Sequence, residues 1–341
     1  MSNLKMKYPL WFIKLTNYEY WAWQWFYYPL LPYIFYQAWR ARSAGFFTTI
    51  NPSFENSGFY AYSKKAILDL IPNQYKPQDF FIQKEENVVS FFIKNKLSFP
   101  LITKPDKGER GKGVTKICNS KDFDIYHLQN TDTEYIVQEF ASEKLEFGVF
   151  YSRLPNEEKG IISSLTLKEF LSVTGDGIST LGELISNNNR ARFQEKKLRE
   201  RFEVEWCSVL EIGKILELEP IGNHCRGTRF INANYLITKQ LEYVFDGIAR
   251  QIPGFYYGRF DLRTASLADL YDGKVKIMEL NGANSEPTHI YDASFGLFNA
   301  YRTIAWHWKR IADISIQTQK MGVKPLPFWK TIGTCFKNNI S

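Results

Sequence analysis

Residues 258–287, GRFDLRTASLADLYDGKVKIMELNGANSEP, constrain this chain more than any other stretch. The pattern predicts a strand ending in Phe260-Asp261-Leu262, a connection over Asp272-Gly273, and a returning strand from Lys274 to Leu280 that ends in Glu279-Leu280-Asn281. Residues two apart in a strand share a face, so Glu279 and Asn281 point one way and Leu280 the other, toward a core. Asp261, Glu279 and Asn281 can then converge. Two carboxylates and an amide oxygen suit Mg2+, a hard cation that prefers oxygen ligands and completes its shell with water or phosphate. A plain hairpin with solvated acids would read the same, so the rest of the chain has to decide.

Length and charge narrow the choice. A chain of 341 residues, 44% hydrophobic and 23% charged, can bury a proper core in one large domain of two or three lobes or in two ordinary ones. The formal net charge of +7 favours anionic partners such as nucleotides or acidic lipid. It is spread out, without a dense Lys/Arg block or a nucleic-acid-binding signature, so nucleic acid is not expected as a partner. Cys118, Cys207, Cys225 and Cys335 lie far apart with no CxxC pair, which argues against a zinc site and a disulfide framework and fits a reducing cytosol. The start, MSNLKMKYPLWFIK, has no apolar region followed by a small-residue cleavage site, so no secretory signal is expected.

Tyr20 to Trp39 is twenty residues without a charge, followed by Arg40 and Arg42. Its length is that of a membrane span, but Pro29 and Pro32 interrupt a straight helix. Its Trp and Tyr content is typical of the headgroup level, which favours an interfacial or shallowly re-entrant anchor with the arginines at lipid phosphates. Packing inside the protein or against a second copy is the even alternative. Ser63 to Leu70 then reads as a helix with Lys64 and Lys65 at its start, a placement unfavourable to the helix dipole unless an anion is near. A solvated pair would need no such anion.

In FPLITKPDKGERGKGVTKI a strand delivers Lys104, and a turn containing Gly108, Gly111 and Gly113 leads into a second strand, Val114 to Ile117. Glycines let backbone amides close over phosphates while a lysine supplies charge. The loop is not a Walker A sequence, which would end in Gly-Lys-Ser/Thr and open a helix. It could equally be a surface turn. YIVQEF, followed by a run from Glu146, offers backbone groups around Glu139 and Phe140 for an adenine, with Gln138 nearby and Glu146 placed for ribose hydroxyls, although an ordinary strand pair fits as well. Further on come a strand with Lys168, a helix capped by Ser179 or Thr180 with Glu183 in its first turn, a charged helix from Asn187 to Phe202, and a strand from Ile215 to Leu218. His224, Arg226 and Arg229 cluster in the loop GNHCRGTRF. Phe298 to Ile316 is an amphipathic helix with Ile304, Trp308 and Ile311 on its apolar face. The tail GVKPLPFWKTIGTCFKNN mixes aromatics and lysines and could lie on the same membrane surface or pack on the body.

In this order and spacing, the segments from Ser63 to Pro287 resemble the ATP-grasp superfamily of carboxylate-amine ligases. TKPDKGERGKGV looks like the glycine loop over ATP phosphates, YIVQEF with Glu146 like the adenine and ribose segment, and GRFDLR with MELNGANSEP like the closing motifs. VTGDGISTLGELI is similar to a segment of cyanophycin synthetase, and GNHCRGTRF resembles the Asn-x-x-Arg-Gly loop of the ribosomal-protein glutamate ligases. The resemblance implies an α+β fold of two lobes clasping ATP. It assigns Lys104, Lys64 or Lys65, and Lys168 to phosphates, Arg259 and Arg226 to the moving phosphoryl group, and Asp261, Glu279 and Asn281 to one or two Mg2+ ions, or Mn2+ in their place. Two departures stand out. A mainly helical aromatic segment replaces the usual domain before the ATP-grasp core, and Gly282-Ala283-Asn284-Ser285-Glu286-Pro287 stands where D-alanine:D-alanine ligases carry a Pro-Gly turn.

The domain division expected is 1–60 for the aromatic segment, 61–145 for the small lobe, 146–296 for the large lobe with the metal site and 297–341 for the C-terminal helix and tail. The function implied is ATP-dependent ligation of a carboxylate to an amine through an acylphosphate. The alternatives are a phosphotransferase acting on a lipid or sugar hydroxyl, and a nucleotide-binding adaptor without turnover. Expected partners are a small-molecule or peptide carboxylate and amine, an anionic membrane surface and a second copy of the chain. The expected location is the cytoplasm, peripheral to the inner membrane face.

Overall fold

The hairpin read from residues 258–287 is the edge of a five-stranded antiparallel sheet. Its strands are β5 (Leu145–Ser152), β6 (Ile161–Glu169), β9 (Arg229–Asn232), β10 (Tyr257–Thr264) and β11 (Lys276–Asn281), in the order β11-β10-β5-β6-β9. The computed structural model describes residues 8–60, 62–83, 97–108, 111–327 and 330. Alternation sorts the sheet's faces. Phe147, Val149, Phe260, Leu262 and Ile277 point into a core shared with Leu241, Phe245 and Ile248 of the helix Lys239–Arg250. The opposite face carries the charged residues of the cleft.

A four-stranded sheet forms the second lobe from β1 (Asp79–Ile82), β2 (Leu101–Pro105), β3 (Thr115–Ile117) and β4 (Tyr135–Glu139), in the order β1-β4-β2-β3. It rests on Phe123 and Tyr126 of the helix Ser120–Gln129, which Asn119 caps through the Asp122 amide. The fold is therefore α+β, as expected. A two-stranded piece, β7 (Ser172–Thr174) with β8 (Ile215–Glu217), sits beside the helix Leu181–Asn187, whose start is a capping box between Thr180 and Glu183. Two local readings need correction. The hairpin connection holds a short helix, Leu267–Tyr271, capped by Ser266, and the charged stretch after Asn187 is two short helices, Asn189–Arg192 and Glu195–Arg201.

The aromatic segment is a broken series: α1 (Leu10–Thr16), α2 (Trp23–Tyr27) and α3 (Leu31–Arg40), with Pro29 in a single 3-10 turn and Pro32 in the first turn of α3. Part of it packs on the body, as the internal reading expects, and part is exposed. Phe26, Leu30 and Gln37 are buried, packing on the long C-terminal helix Leu297–Lys320, whereas Trp25, Phe35 and Trp39 are 69%, 67% and 76% exposed. Among the described residues, no helix is long and apolar enough to cross a membrane. Most of the tail after Pro327 lies outside the described residues.

The N-terminal segment meets the hairpin through backbone. Gly58 and Gly282 approach so closely that a Cβ on Gly282 would sit 2.2 Å from the Ser57 carbonyl oxygen and 2.9 Å from the Gly58 Cα. The Ala283 amide also donates to that Ser57 carbonyl at 2.9 Å. Gly282→Ala is expected to cost about 1–3 kcal/mol of stability, because neither neighbour is a side chain that could turn aside. Gly247→Ala, on the exposed face of its helix with nothing within 4 Å, should instead stabilise by roughly 0.5–1 kcal/mol. Urea denaturation midpoints of the two variants check both signs.

Candidate active site

The charged face of the large sheet is set by register. Arg259, Asp261 and Arg263 alternate along β10; Arg259 lies opposite Asn281, Asp261 opposite Glu279, Arg263 opposite Glu146 of β5, and Glu146 opposite Lys168 of β6. A row of alternating sign results. Lys168 Nζ lies 3.1 Å from Glu146 and 3.0 Å from Asp261, and Arg263 Nε donates to the other Glu146 oxygen at 2.9 Å. Arg259 grips Asp261 through Nε at 3.1 Å and Nη2 at 3.0 Å, and Asn281 Nδ2 donates to Asp261 at 2.8 Å. Burial alone would raise the Asp261 pKa, but Arg259 and Lys168 overcome it and hold the carboxyl at about 2. Burial likewise opposes the charge on Lys168, and Asp261 with Glu146 more than restore it, leaving its pKa raised.

The small sheet brings Lys104 from the facing side. Its ammonium donates to Gln138 Oε1 at 3.0 Å and to the Met278 carbonyl of β11 at 2.9 Å. It is a buried cation from one lobe bonded to a strand of the other. Burial lowers its pKa to about 8, although Glu279 works against that. Gln138 Nε2 is buried with no partner among the described residues, a donor left for something that enters the cleft.

The lysine pair separates. Lys64 lines the cleft, 3.8 Å from Glu279, and donates to the Gly108 carbonyl. Lys65 turns away to Asp69 and Asp79. The anion that such a helix start calls for belongs to the chain: Asp106 accepts from the Lys65 amide at 2.8 Å and from Ser63 Oγ at 2.9 Å, at the start of the helix Lys64–Leu68 (α4).

Gly108 and Gly111 line the cleft, Gly113 packs against Pro105, and Glu109 and Arg110 lie outside the described residues. Arg226, expected at the phosphoryl group, is a correction. Its guanidinium donates to the carbonyls of Gly111 at 2.7 Å and Val114 at 3.1 Å and to Glu219 at 3.3 Å, so it fastens the glycine loop to the large lobe. Three of its five donors are engaged in this way, by two carbonyls and one carboxylate. Glu139 and Phe140 line the cleft where the chain crosses between sheets, and Phe140 has Lys116 stacked 4.0 Å above its ring centroid.

Three contributors were not foreseen. Arg263 could have been, since it continues the two-residue alternation of Arg259 and Asp261. Glu286 is held by Tyr27 and Tyr291, the latter at 2.7 Å, while its carbonyl accepts from Arg259 at 3.0 Å. Tyr62 donates to Asn281 Oδ1 at 3.3 Å. No local pattern signals contacts spanning hundreds of residues.

The donor set tests the metal expectation. Among the described residues, no three His, Cys, Asp or Glu side chains cluster for a metal; the candidates are two carboxylates and the Asn281 amide. Both Asp261 oxygens already carry two contacts each, from Lys168, Arg259 and Asn281. Those cations are the groups a polyphosphate would draw toward itself, freeing the carboxylate, so the residues fit a hard divalent ion bound together with phosphate.

No protein-family model matches the chain, and no curated protein matches it in sequence. Solved structures do resemble it. A bifunctional glutathione synthetase from Pasteurella multocida is 16% identical with a TM-score of 0.35, over 67% of this chain and 33% of that one. A D-alanine–D-alanine ligase from Bacillus anthracis is 12% identical with a TM-score of 0.42, over 73% and 68%. The VanG D-Ala:D-Ser ligase from Enterococcus faecalis is 15% identical with a TM-score of 0.41, over 74% and 60%. This chain thus spans about a third of the length of the glutathione synthetase. Two of these structures are ligases by name and one is a synthetase. Likenesses at TM-scores below 0.5 carry no argument by themselves, and the cleft must supply it.

Lys104 provides a test in solution. Its ammonium is lost as pH rises through about 8, and a bound polyphosphate favours the charged form. Nucleotide binding above pH 8 is therefore expected to take up a proton and to weaken by up to about tenfold per pH unit. Calorimetry in buffers of different ionisation enthalpy measures that uptake, and Lys104→Met should abolish it.

Proposed function

We propose that the chain is an ATP-dependent ligase that joins a carboxylate to an amine. The observation that carries this reading is the convergence, across one cleft, of Lys104, Lys168 and Arg259 with Asp261, Glu279 and Asn281. Lys104 and Lys64 reach phosphates from the small lobe, and Lys168 and Arg259 reach them from the large one. Gln138 Nε2 gains a partner from the nucleotide base, and the backbone at Glu139 and Phe140 borders it. Asp261, Glu279 and Asn281 would hold Mg2+, which when bound neutralises charge between the β- and γ-phosphates.

A substrate carboxylate oxygen attacks the γ-phosphorus and ADP leaves, with Arg259 and Lys168 offsetting the charge on the moving group. The amine nitrogen then attacks the acyl carbon, phosphate departs, and the nitrogen gives up a proton. Arg226 holds the Gly111 region down against the large lobe, which keeps water from the acylphosphate between the two steps. No side-chain nucleophile is needed.

The partner surface follows from the exposed rings. Trp25, Phe35 and Trp39 stand out from α2 and α3, with Arg42 beside Trp39, on a chain of net charge +7. Aromatic rings beside cations suit the headgroup region of an anionic bilayer. Wild-type protein is expected to float with anionic vesicles, and the triple replacement of these rings by Ser to lose most of that binding at unchanged thermal stability.

The main test is release of phosphate and ADP from Mg-ATP across pools of amino acids, peptides and amino sugars. Release that requires both an acid and an amine, and that falls at least about a hundredfold in Glu279→Gln, is the expected outcome. Phosphate retained on the product would select a phosphotransferase instead.

A further inference from the structure

The cleft extends well past the charged row. Its volume is about 1390 Å³, more than the roughly 300–1,000 Å³ that one small ligand usually occupies. Its lining runs on from the charged row to Tyr27, Leu31 and Ile34 of the N-terminal helices and to Ile304, Trp308 and Ile311 of the C-terminal helix, an apolar arm bordered by the cluster in which Ile34 and Trp308 pack around Ile304. This arm begins at Glu286, which Tyr27 and Tyr291 hold beside Arg259. It reaches the surface at Leu31 and Trp23, 36% and 51% exposed. One turn on from Leu31 stands Phe35 of the exposed aromatic face.

His307, on the same helix as Ile304 and Trp308, puts a polar group into this wall. His307 is 3% exposed; its Nδ1 lies 2.9 Å from the Tyr257 hydroxyl, and its Nε2 is buried with no partner among the described residues. A phenol has one proton to donate, and Nδ1 is the acceptor it has among the described residues, so Nε2 carries the ring's own proton and needs an acceptor. Burial, with His289 adding to it, takes the ring pKa down to about 3 and keeps it neutral. A purely aliphatic filling would leave that N–H unsatisfied, whereas a tail bearing a carbonyl or ether oxygen would meet it.

We propose that this arm binds the aliphatic tail of an amphiphilic substrate, whose polar head lies at Arg259 and Asn281 and whose first oxygen beyond the head accepts from His307. The proposal rests on the ligase reading for which end of the molecule reacts, and names its substrate class as an acyl-bearing acid or amine. The arm's mouth lies beside the exposed rings, so a chain could pass from a bilayer into the cleft without crossing open water.

Calorimetric titration of the full chain with N-dodecanoylglycine and N-acetylglycine, both as monomers, tests this directly. The long-chain probe is expected to bind about a hundredfold more tightly, a gain that burying a few methylenes supplies. Ile34→Trp, which fills the arm, should remove that preference, and His307→Phe should weaken the long-chain probe about tenfold. ATP affinity measured on each variant reports whether it is folded. Equal affinity for the two probes, or an Ile34→Trp protein that keeps the preference, would overturn the proposal. Long-chain preference seen with vesicle-borne probe as well as with monomer supports it and names the bilayer as the source. Long-chain preference without amine-dependent phosphate release upholds the arm and sinks the ligase reading, whereas release with no preference sinks the arm alone.

Discussion

The molecule depends on a row of charges buried on the open face of its larger sheet. Lys168, Glu146, Arg263, Asp261 and Arg259 are all mostly removed from water, and each carboxylate is held by two cations. Removing charges from solvent costs several kcal/mol apiece, so such a row persists only when partners are supplied in register. Antiparallel pairing supplies them. The same cross-strand register that closes the sheet places opposite signs face to face, and the hydrophobic residues between them seal the other side.

This arrangement couples shape to chemistry. Asp261 is kept ionised by Arg259 and Lys168, and in the proposed reaction a polyphosphate and a metal would exchange one set of its partners for another. Lys104 adds a different element. It is buried, bonded to carbonyls of both lobes, and neutralised as pH rises through about 8, so its charge responds to whatever occupies the cleft. Arg226 completes the frame from outside by holding the glycine loop in place.

Much of this was legible because it is local. The alternation of Arg259 with Asp261 and of Glu279 with Asn281, the capping box at Thr180 and the strand carrying Lys104 all follow from spacing of two or three residues. The anion at the lysine pair was called for by helix electrostatics, though its identity as Asp106 was not readable. What escaped was nonlocal. The Arg226 side chain sits in a loop whose composition suits phosphate binding, and its true partners are carbonyls more than a hundred residues earlier. Tyr27 on Glu286 and Tyr257 on His307 join segments far apart in sequence, with no periodicity to announce them. The aromatic stretch was undecidable for another reason: its rings serve two opposite faces, and composition does not separate them.

The contact between Gly58 and Gly282 gives the aromatic segment a mechanical role. Side chains act as cushions, turning through rotamers when one element shifts against another. Here there is none, and the Ser57 loop bears directly on the residue after Asn281. Any displacement of the Ser57-Gly58 loop would have no soft layer to absorb it. It would pass to the strand end that carries Asn281, tying the position of a candidate metal ligand to the N-terminal segment.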